Sequence, residues 1–299
     1  MRADPFVLDV LAAVARLLPR GKGHFARIAG RILAGYLGEC YVTTKYGAKL
    51  AIAPSSLDFY VTMKNWGGSW EHWVYDTCKW VMPRNGVFYD IGANVGYMGI
   101  ELLHELPQTI CVAFEPQNHL VRSLARSVLL NGLTSRIRVL KCALSDQSGA
   151  GRLTTFSHDG HASLSRKVSA AKSKVDELIV TVETLDEVVE KRSLPLPDLI
   201  KIDVEGHEAS VLRGGSATLL AAKPNIVFEC SGVEELRDTV GVLASIGNYQ
   251  LFYAGGSYRP LARVDEEKSI TEKVDILAVE ASRLQRLSSG FKDQLLNGS

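Results

Sequence analysis

The 299-residue chain has no C-x-x-C pair, no internal repeat and no apolar run as long as a membrane span. Its five cysteines, Cys40, Cys78, Cys111, Cys142 and Cys230, are odd in number and widely separated. Such spacing excludes a zinc knuckle and a disulfide framework, and it fits a reducing, cytoplasmic setting. Cys111, Cys142 and Cys230 sit in apolar, strand-like runs, where a free thiol packs as a small hydrophobe. A membrane span needs about 18–20 apolar residues. The run Phe6–Leu18 is interrupted by Asp9 and Arg16, and no convincing small-residue cleavage site follows it. It is read as retained.

Net charge is nearly absent as well: 34 Lys+Arg against 33 Asp+Glu leave +1. A basic nucleic-acid binder is disfavoured, and no nucleic-acid partner is expected. The balance averages two unlike parts. Residues 1–38 carry Arg2, Arg16, Arg20, Lys22, Arg27 and Arg31 against only Asp4 and Asp9, so the remainder is mildly acidic. With 46% hydrophobic and 22% charged residues, the composition is that of an ordinary globular chain. The length suits one large α/β domain with extensions.

Val7, Leu11, Val14 and Leu18 recur at helical intervals until Pro19 and Gly21 stop the pattern. A second helical stretch covers His24–Leu37. Residues 1–40 are therefore expected to form a basic, amphipathic helical extension. Its segment 6–33 is compatible with lying on a membrane surface. The favoured reading is packing on the domain or on a second copy of the chain, which would make a homo-oligomer. Residues 41–86 read as a cap and lead-in, strand-like to Ile52 and then aromatic-rich, with a helix over Glu71–Trp80.

From Val87 the rhythm changes. Strand candidates are Val87–Ile91, Thr109–Glu115, Arg136–Cys142, Asp198–Asp203, Asn225–Cys230, Tyr249–Tyr253 and Val274–Val279. Helical patterns fall between most of them, at Val95–Leu106, Gln117–Leu130, His207–Leu220 and Val233–Ile246. Alternation of this kind predicts an α/β fold with a seven-stranded, mainly parallel sheet and helices on both faces. Thr184 and Glu187 form a T-x-x-E capping box. The Ser/Ala/Lys-rich stretch Ser157–Lys174 reads as a surface loop or lid, and its His158 and His161 as solvated side chains. The domain is bounded at 87–285, and 286–299 form a polar tail.

The strongest local signal is Asp90-Ile91-Gly92-Ala93-Asn94-Val95-Gly96, between a strand and a helix. Glycines there let backbone approach a ligand, and the helix start offers free N–H groups. Glu115 ends the next strand, where a carboxylate can accept from both hydroxyls of a ribose. Asp90 would repel a dinucleotide's pyrophosphate, which argues against an NAD-linked oxidoreductase. It suits the cationic α-amino group of S-adenosylmethionine.

The segment from about Lys45 to Glu229 resembles the FkbM family of S-adenosylmethionine-dependent methyltransferases. The resemblance rests on VFYDIGANVGY from Val87, Ala113-Phe114-Glu115-Pro116, Ala143-Leu144-Ser145-Asp146, Val182-Glu183-Thr184-Leu185-Asp186 and DLIKIDVEGHE from Asp198. Gly68-Ser69-Trp70-Glu71 and Ala162-Ser163-Leu164 resemble further family elements. The family implies a Rossmann-like class I methyltransferase with S-adenosylmethionine as methyl donor. It places Asp90, Gly92, Ala93, Asn94 and Gly96 around the methionine end, Glu115 and Pro116 at the ribose, and Ala143 and Leu144 beside adenine. Glu71 is either a further cofactor contact or the start of its helix.

Asp203, Glu205 and His207 follow the fourth strand and are the candidates for general base and acceptor positioning. Alternatively, Asp203 and Glu205 only cap the next helix. A divalent cation on this cluster is not the favoured reading, and no metal ligands are assigned. The expected activity is O-methylation of a sugar, glycoconjugate or polyketide-like metabolite. N- or C-methylation and a non-catalytic adenosine-ligand binding protein are the alternatives.

Overall fold

The computed structural model describes residues 40–52, 71–156, 162–164, 174–254 and 273–284, with Arg2–Ala3 and isolated positions elsewhere. In chain order the strands are β1 (Arg2–Ala3), β2 (Cys40–Thr43), β3 (Lys49–Ile52), β4 (Val87–Ile91), β5 (Ile110–Phe114), β6 (Ile137–Leu140) and β7 (Ala143–Leu144). They continue with β8 (Gly149–Phe156), β9 (Ala162–Ser163), β10 (Lys174–Glu183), β11 (Leu199–Ile202), β12 (Asn225–Cys230), β13 (Tyr249–Tyr253) and β14 (Val274–Glu280). The helices are α1 (His72–Val81), α2 (Tyr97–Glu105), α3 (Asn118–Leu130), α4 (Leu185–Arg192), α5 (Glu208–Gly214), α6 (Ser216–Ala222), α7 (Val233–Ile246) and α8 (Ala281–Leu284).

A seven-stranded sheet in the order β13-β14-β12-β11-β4-β5-β6 forms the body. The β6-β5-β4-β11-β12 pairs are parallel, whereas β14 runs antiparallel to both β12 and β13. This is the Rossmann-like α/β sheet that the sequence predicts. Every residue of β11 and β12 is buried, as expected of strands covered on both faces. Alternation sends Phe88 and Leu199 to one core cluster and Tyr89, Ile200 and Ile202 to the other. Helix α3 shows the same logic at period 3.6, burying Leu120, Leu124 and Val128 in the first cluster. A fully buried side chain of this kind contributes roughly 1.5–3 kcal/mol.

The β2–β3 hairpin is clamped to α3 by three hydrogen bonds: Ala51 N–H to Ser127 Oγ, Lys49 N–H to Asn131 Oδ1 and Asn131 Nδ2 to Lys49 O. Of the predicted N-terminal helices, Asp9, Val10, Ala13, Val14, Leu17, Ile28 and Ile32 are helical. Arg2–Ala3 form a strand paired with β2 rather than a helix, and the rest of that extension, Trp66, Trp70, His158, His161 and the tail 286–299 lie outside the described residues. Among the described residues no helix is long and apolar enough to cross a membrane.

Three differences from the sequence reading have local causes. A second, four-stranded sheet, β7-β10-β8-β9, forms largely from residues to which the sequence reading gave no strand; only β9 and the first residue of β10 fall within the loop expected over Ser157–Lys174. Gly149 and Gly151 obscure the alternation of β8, yet a Cβ on Gly151 would overlap the Val182 side chain across the hairpin. The single helix expected over His207–Leu220 breaks into α5 and α6 at Gly215, where a Cβ would crowd Leu185. Half of the capping box forms, Glu187 N–H donating to Thr184 Oγ1 at 3.2 Å. The Glu187 carboxylate turns instead to Ser148 and Lys191.

Candidate active site

Strand order reverses beside β4, since β5 and β6 lie on one side of it and β11 and β12 on the other. Ligands of open α/β sheets bind at the carboxyl ends of the strands at such a switch point. A cavity opens there, with the β4 turn on one side and the small sheet over it. Of the sequence-predicted residues, Gly92, Asn94, Glu115, Pro116, Ala143, Leu144, Asp203, Glu205 and His207 all line it. Glu71, Asp90, Ala93 and Gly96 do not.

The turn after β4 is built for closeness. Gly92 has φ +82°, and a Cβ there would overlap the backbone carbonyl of Asp203. Asn94 also adopts a left-handed conformation, φ 52°. Its N–H donates to Glu115 Oε2 at 3.0 Å, while Gln117 N–H donates to Oε1 at 2.9 Å. Burial raises the Glu115 carboxyl to about 7 against the pull of these two amides. Phe114, Leu120, Cys142 and Leu144 make the neighbouring wall apolar. An apolar slot beside a carboxylate matches an adenine and its ribose.

Gly96 has another task. It is the N-cap of α2 at φ +86°, and a Cβ would run into Leu124 of α3.

Asp90 lies beneath the turn, where its Oδ2 accepts from Gly99 N–H at 3.2 Å. Burial raises its carboxyl to about 6, opposed by Lys201 and the Gly99 amide and assisted by Asp203 and Glu71. Glu71 is the N-cap of α1 in a left-handed conformation, but its side chain makes no capping bond. It turns inward, 3.7 Å from Lys201 Nζ.

The acidic end of the cavity follows β11. Asp203 Oδ2 accepts from Lys201 Nζ at 2.8 Å. Glu205, at φ 55°, stands 3.3 Å from Lys273 Nζ, which also pairs with Glu229. His207 Nε2 lies 2.9 Å from Ser145 Oγ, and burial lowers the pKa of its ring. The N-cap of α5 is His207, and Glu208 braces the loop by accepting from Val204 and Gly206 N–H.

The match to known proteins now decides the family. A profile described as the Methyltransferase FkbM domain matches residues 90–244, more than half of the chain. The chain belongs to the FkbM methyltransferase family. Among its relatives, Methyltransferase sdnD of Sordaria araneosa is 31% identical over 177 residues, covering 50% of this chain and 67% of that protein. The 2-O-methyltransferase NoeI of Sinorhizobium fredii is 32% identical over 145 residues, covering 44% of this chain and 58% of that one. A solved structure of methyltransferase FkbM from Methylobacillus flagellatus superposes with a TM-score of 0.45 at 15% identity, covering 86% and 60% of the two chains. The matched parts thus span 58% to 67% of these three proteins.

This FkbM-family chain is an S-adenosylmethionine-dependent methyltransferase, and its small sheet is physically tied to its acidic loop. Ser163 of β9 donates to the Glu205 carbonyl at 2.8 Å, while Ala162, Leu164 and Leu153 face the cavity. Five non-glycine residues have positive φ among those described. Ser193 and Lys223 are helix C-caps; the other three, Glu71, Asn94 and Glu205, surround the site. Such strain concentrates where a site needs a set geometry.

Sequence reasoning overlooked Lys201, Glu229, Lys273 and Asp275. The signal was present: Lys201, Glu229 and Asp275 each interrupt an apolar strand. Because β14 runs antiparallel, its first residues reach the edge where β11 and β12 end, and Asp275 pairs with Glu229 in register.

Proposed function

We propose that this methyltransferase transfers the methyl group of S-adenosylmethionine to a hydroxyl oxygen of a sugar, glycoconjugate or polyketide-like acceptor. The observation that carries this reading is the polarity of one cavity. Its Glu115 end is apolar around a single doubly held carboxylate, and its other end gathers Asp203, Glu205 and His207. The donor set fits the cofactor: Glu115 suits a ribose diol, Phe114, Cys142 and Leu144 suit adenine, and Asp90 and Glu71, behind the cavity lining, act on an ammonium through their charge. When bound, S-adenosylmethionine supplies an electrophilic methyl on a sulfonium.

A hydroxyl acceptor needs its proton removed and its oxygen held in line. Asp203 is the base, because it lines the cavity and Lys201 holds its carboxylate in one place. Glu205, oriented by Lys273, and His207, held neutral by burial and tied to Ser145, position the acceptor. The gathered acids also disfavour a purely ligand-binding protein, which has no use for them. NoeI, by its name a 2-O-methyltransferase, supports oxygen as the accepting atom.

Radiolabelled donor offered with a panel of neutral sugars, uronides and macrolide alcohols tests the reading. Asp203→Asn is expected to lower turnover by about 10²-fold or more while donor affinity stays within about threefold. Normal turnover in that variant removes Asp203 as the base. Label found only on nitrogen or carbon removes the hydroxyl acceptor.

A further inference from the structure

Strand β11 carries a cation that proton removal from an acceptor does not itself call for. Lys201 is 6% exposed and sits opposite Asp90 in the register of β4 and β11. Alternation puts Asp90, Lys201, Asp203, Glu229 and Asp275 on the sheet face that meets α1. Glu71 and Cys78 approach from α1 and its start. Cys111 of β5 lies below Asp90, and Lys273 flanks Asp275. Burial drives the Cys78 and Cys111 thiols upward, so both are neutral. One ammonium thus faces Asp203, Glu71 and Asp90, whose fields hold its proton well above the usual lysine value despite its burial, and its charge reaches Asp275 as well.

We propose that Lys201 is a positioning residue, an internal counter-ion that keeps the carboxylate of Asp90 charged and holds that of Asp203 in place before the cofactor arrives. The inference rests on the S-adenosylmethionine reading of the cavity. Its electrostatics have two opposed parts. Lys201 keeps the proton off Asp90, and it repels the ammonium that Asp90 attracts. Where Asp90 stays ionised without help, removing Lys201 strengthens attraction for the cofactor. Where Asp90 takes up a proton, removing Lys201 weakens that attraction.

Calorimetric titration of wild type, Lys201→Met and Lys201→Arg with S-adenosylmethionine, from about pH 5.5 to about pH 9, separates these parts. The wild-type and Lys201→Met curves are expected to cross. At about pH 9 the Met variant binds at least as tightly as wild type, and at about pH 6.5 it binds roughly tenfold more weakly. Lys201→Arg keeps the wild-type profile. A loss of equal size at every pH means a merely structural lysine and overturns the proposal, as does an unchanged profile.

Should Lys201→Met fail to unfold cooperatively, Glu71→Gln supplies the test. Glu71 favours protonation of Asp90, so its removal moves the acid limb of binding to lower pH. An unmoved limb overturns the proposal. Wild type that binds no S-adenosylmethionine at any pH refutes the cofactor reading, and the inference with it, a result distinct from all of these.

Discussion

The amide of Asn94 donates to Glu115 Oε2 across 3.0 Å, joining the turn after β4 to the end of β5. Two residues 21 apart in sequence thereby lock the cavity-lining carboxylate of Glu115 against the motif that precedes α2. The left-handed backbone at Asn94 aims that N–H, so the strained turn and the acid form one unit.

Replacing that acid is expected to weaken cofactor binding without unfolding the protein. Glu115→Gln replaces one acceptor oxygen by a donor and removes the charge. A hydrogen bond to a charged group contributes about 1.5–3 kcal/mol, or roughly 10- to 100-fold in Kd for S-adenosylmethionine. Isothermal titration measures it, and an unchanged Kd would remove Glu115 from the site.

Stability of the ligand-free protein should fall from mildly acidic to mildly alkaline pH. Burial raises the carboxyls of Asp90 to about 6 and of Glu101, Glu115 and Glu208 to about 7. Each binds its proton more tightly folded than unfolded. Their contribution is complete below the unfolded values, near pH 4, and is lost as pH rises through 6 to 7. His207 opposes them, because its lowered pKa costs stability as pH falls through about 6.5. Four carboxyls outweigh one imidazole, so Tm should be higher at about pH 5.5 than at about pH 8. A Tm that rises over that interval contradicts the assignment.

Gly92→Ala is expected to be among the most damaging single changes. It places a Cβ on the Asp203 carbonyl and holds alanine at φ +82°. The left-handed conformation alone costs about 1–2 kcal/mol, and relief of the overlap must shift β11. Chemical denaturation should show a loss of at least about 2 kcal/mol, together with loss of cofactor binding. Native stability in this variant would mean that β4 and β11 do not meet as described.

Ser163→Ala tests the tie between β9 and the acidic loop. It removes the 2.8 Å bond to the Glu205 carbonyl, worth about 0.5–1.5 kcal/mol. The expected result is a cofactor dissociation rate raised roughly two- to tenfold, read by stopped-flow fluorescence, with Tm little changed. An unchanged rate would separate the small sheet from cofactor retention.

Much of the sheet and half of the site were legible because both follow local rules. The strand limits read at Val87–Ile91, Asn225–Cys230 and Tyr249–Tyr253 are those observed, since buried strands advertise themselves as short apolar runs between turns. Asp90-Ile91-Gly92-Ala93-Asn94-Val95-Gly96 was readable because a glycine turn and its following helix are contiguous. The β8–β10 hairpin was not. Its glycines dilute the period, and it is stabilised by pairing across a connection of some length rather than by its own sequence.

What the sequence determined by itself was the fold class, the family and the carboxylates that punctuate strand ends, because these depend on periodicity and short-range spacing. Only the tertiary structure decided what those carboxylates do to one another. The reversal of strand order beside β4 and the antiparallel entry of β14 bring Glu71, Asp90, Asp203 and Asp275 around Lys201. Those residues come from three strands and a helix start, 204 positions apart at the extremes. No local pattern encodes such a meeting, since charge interaction depends on distance and burial, and both are properties of the folded chain.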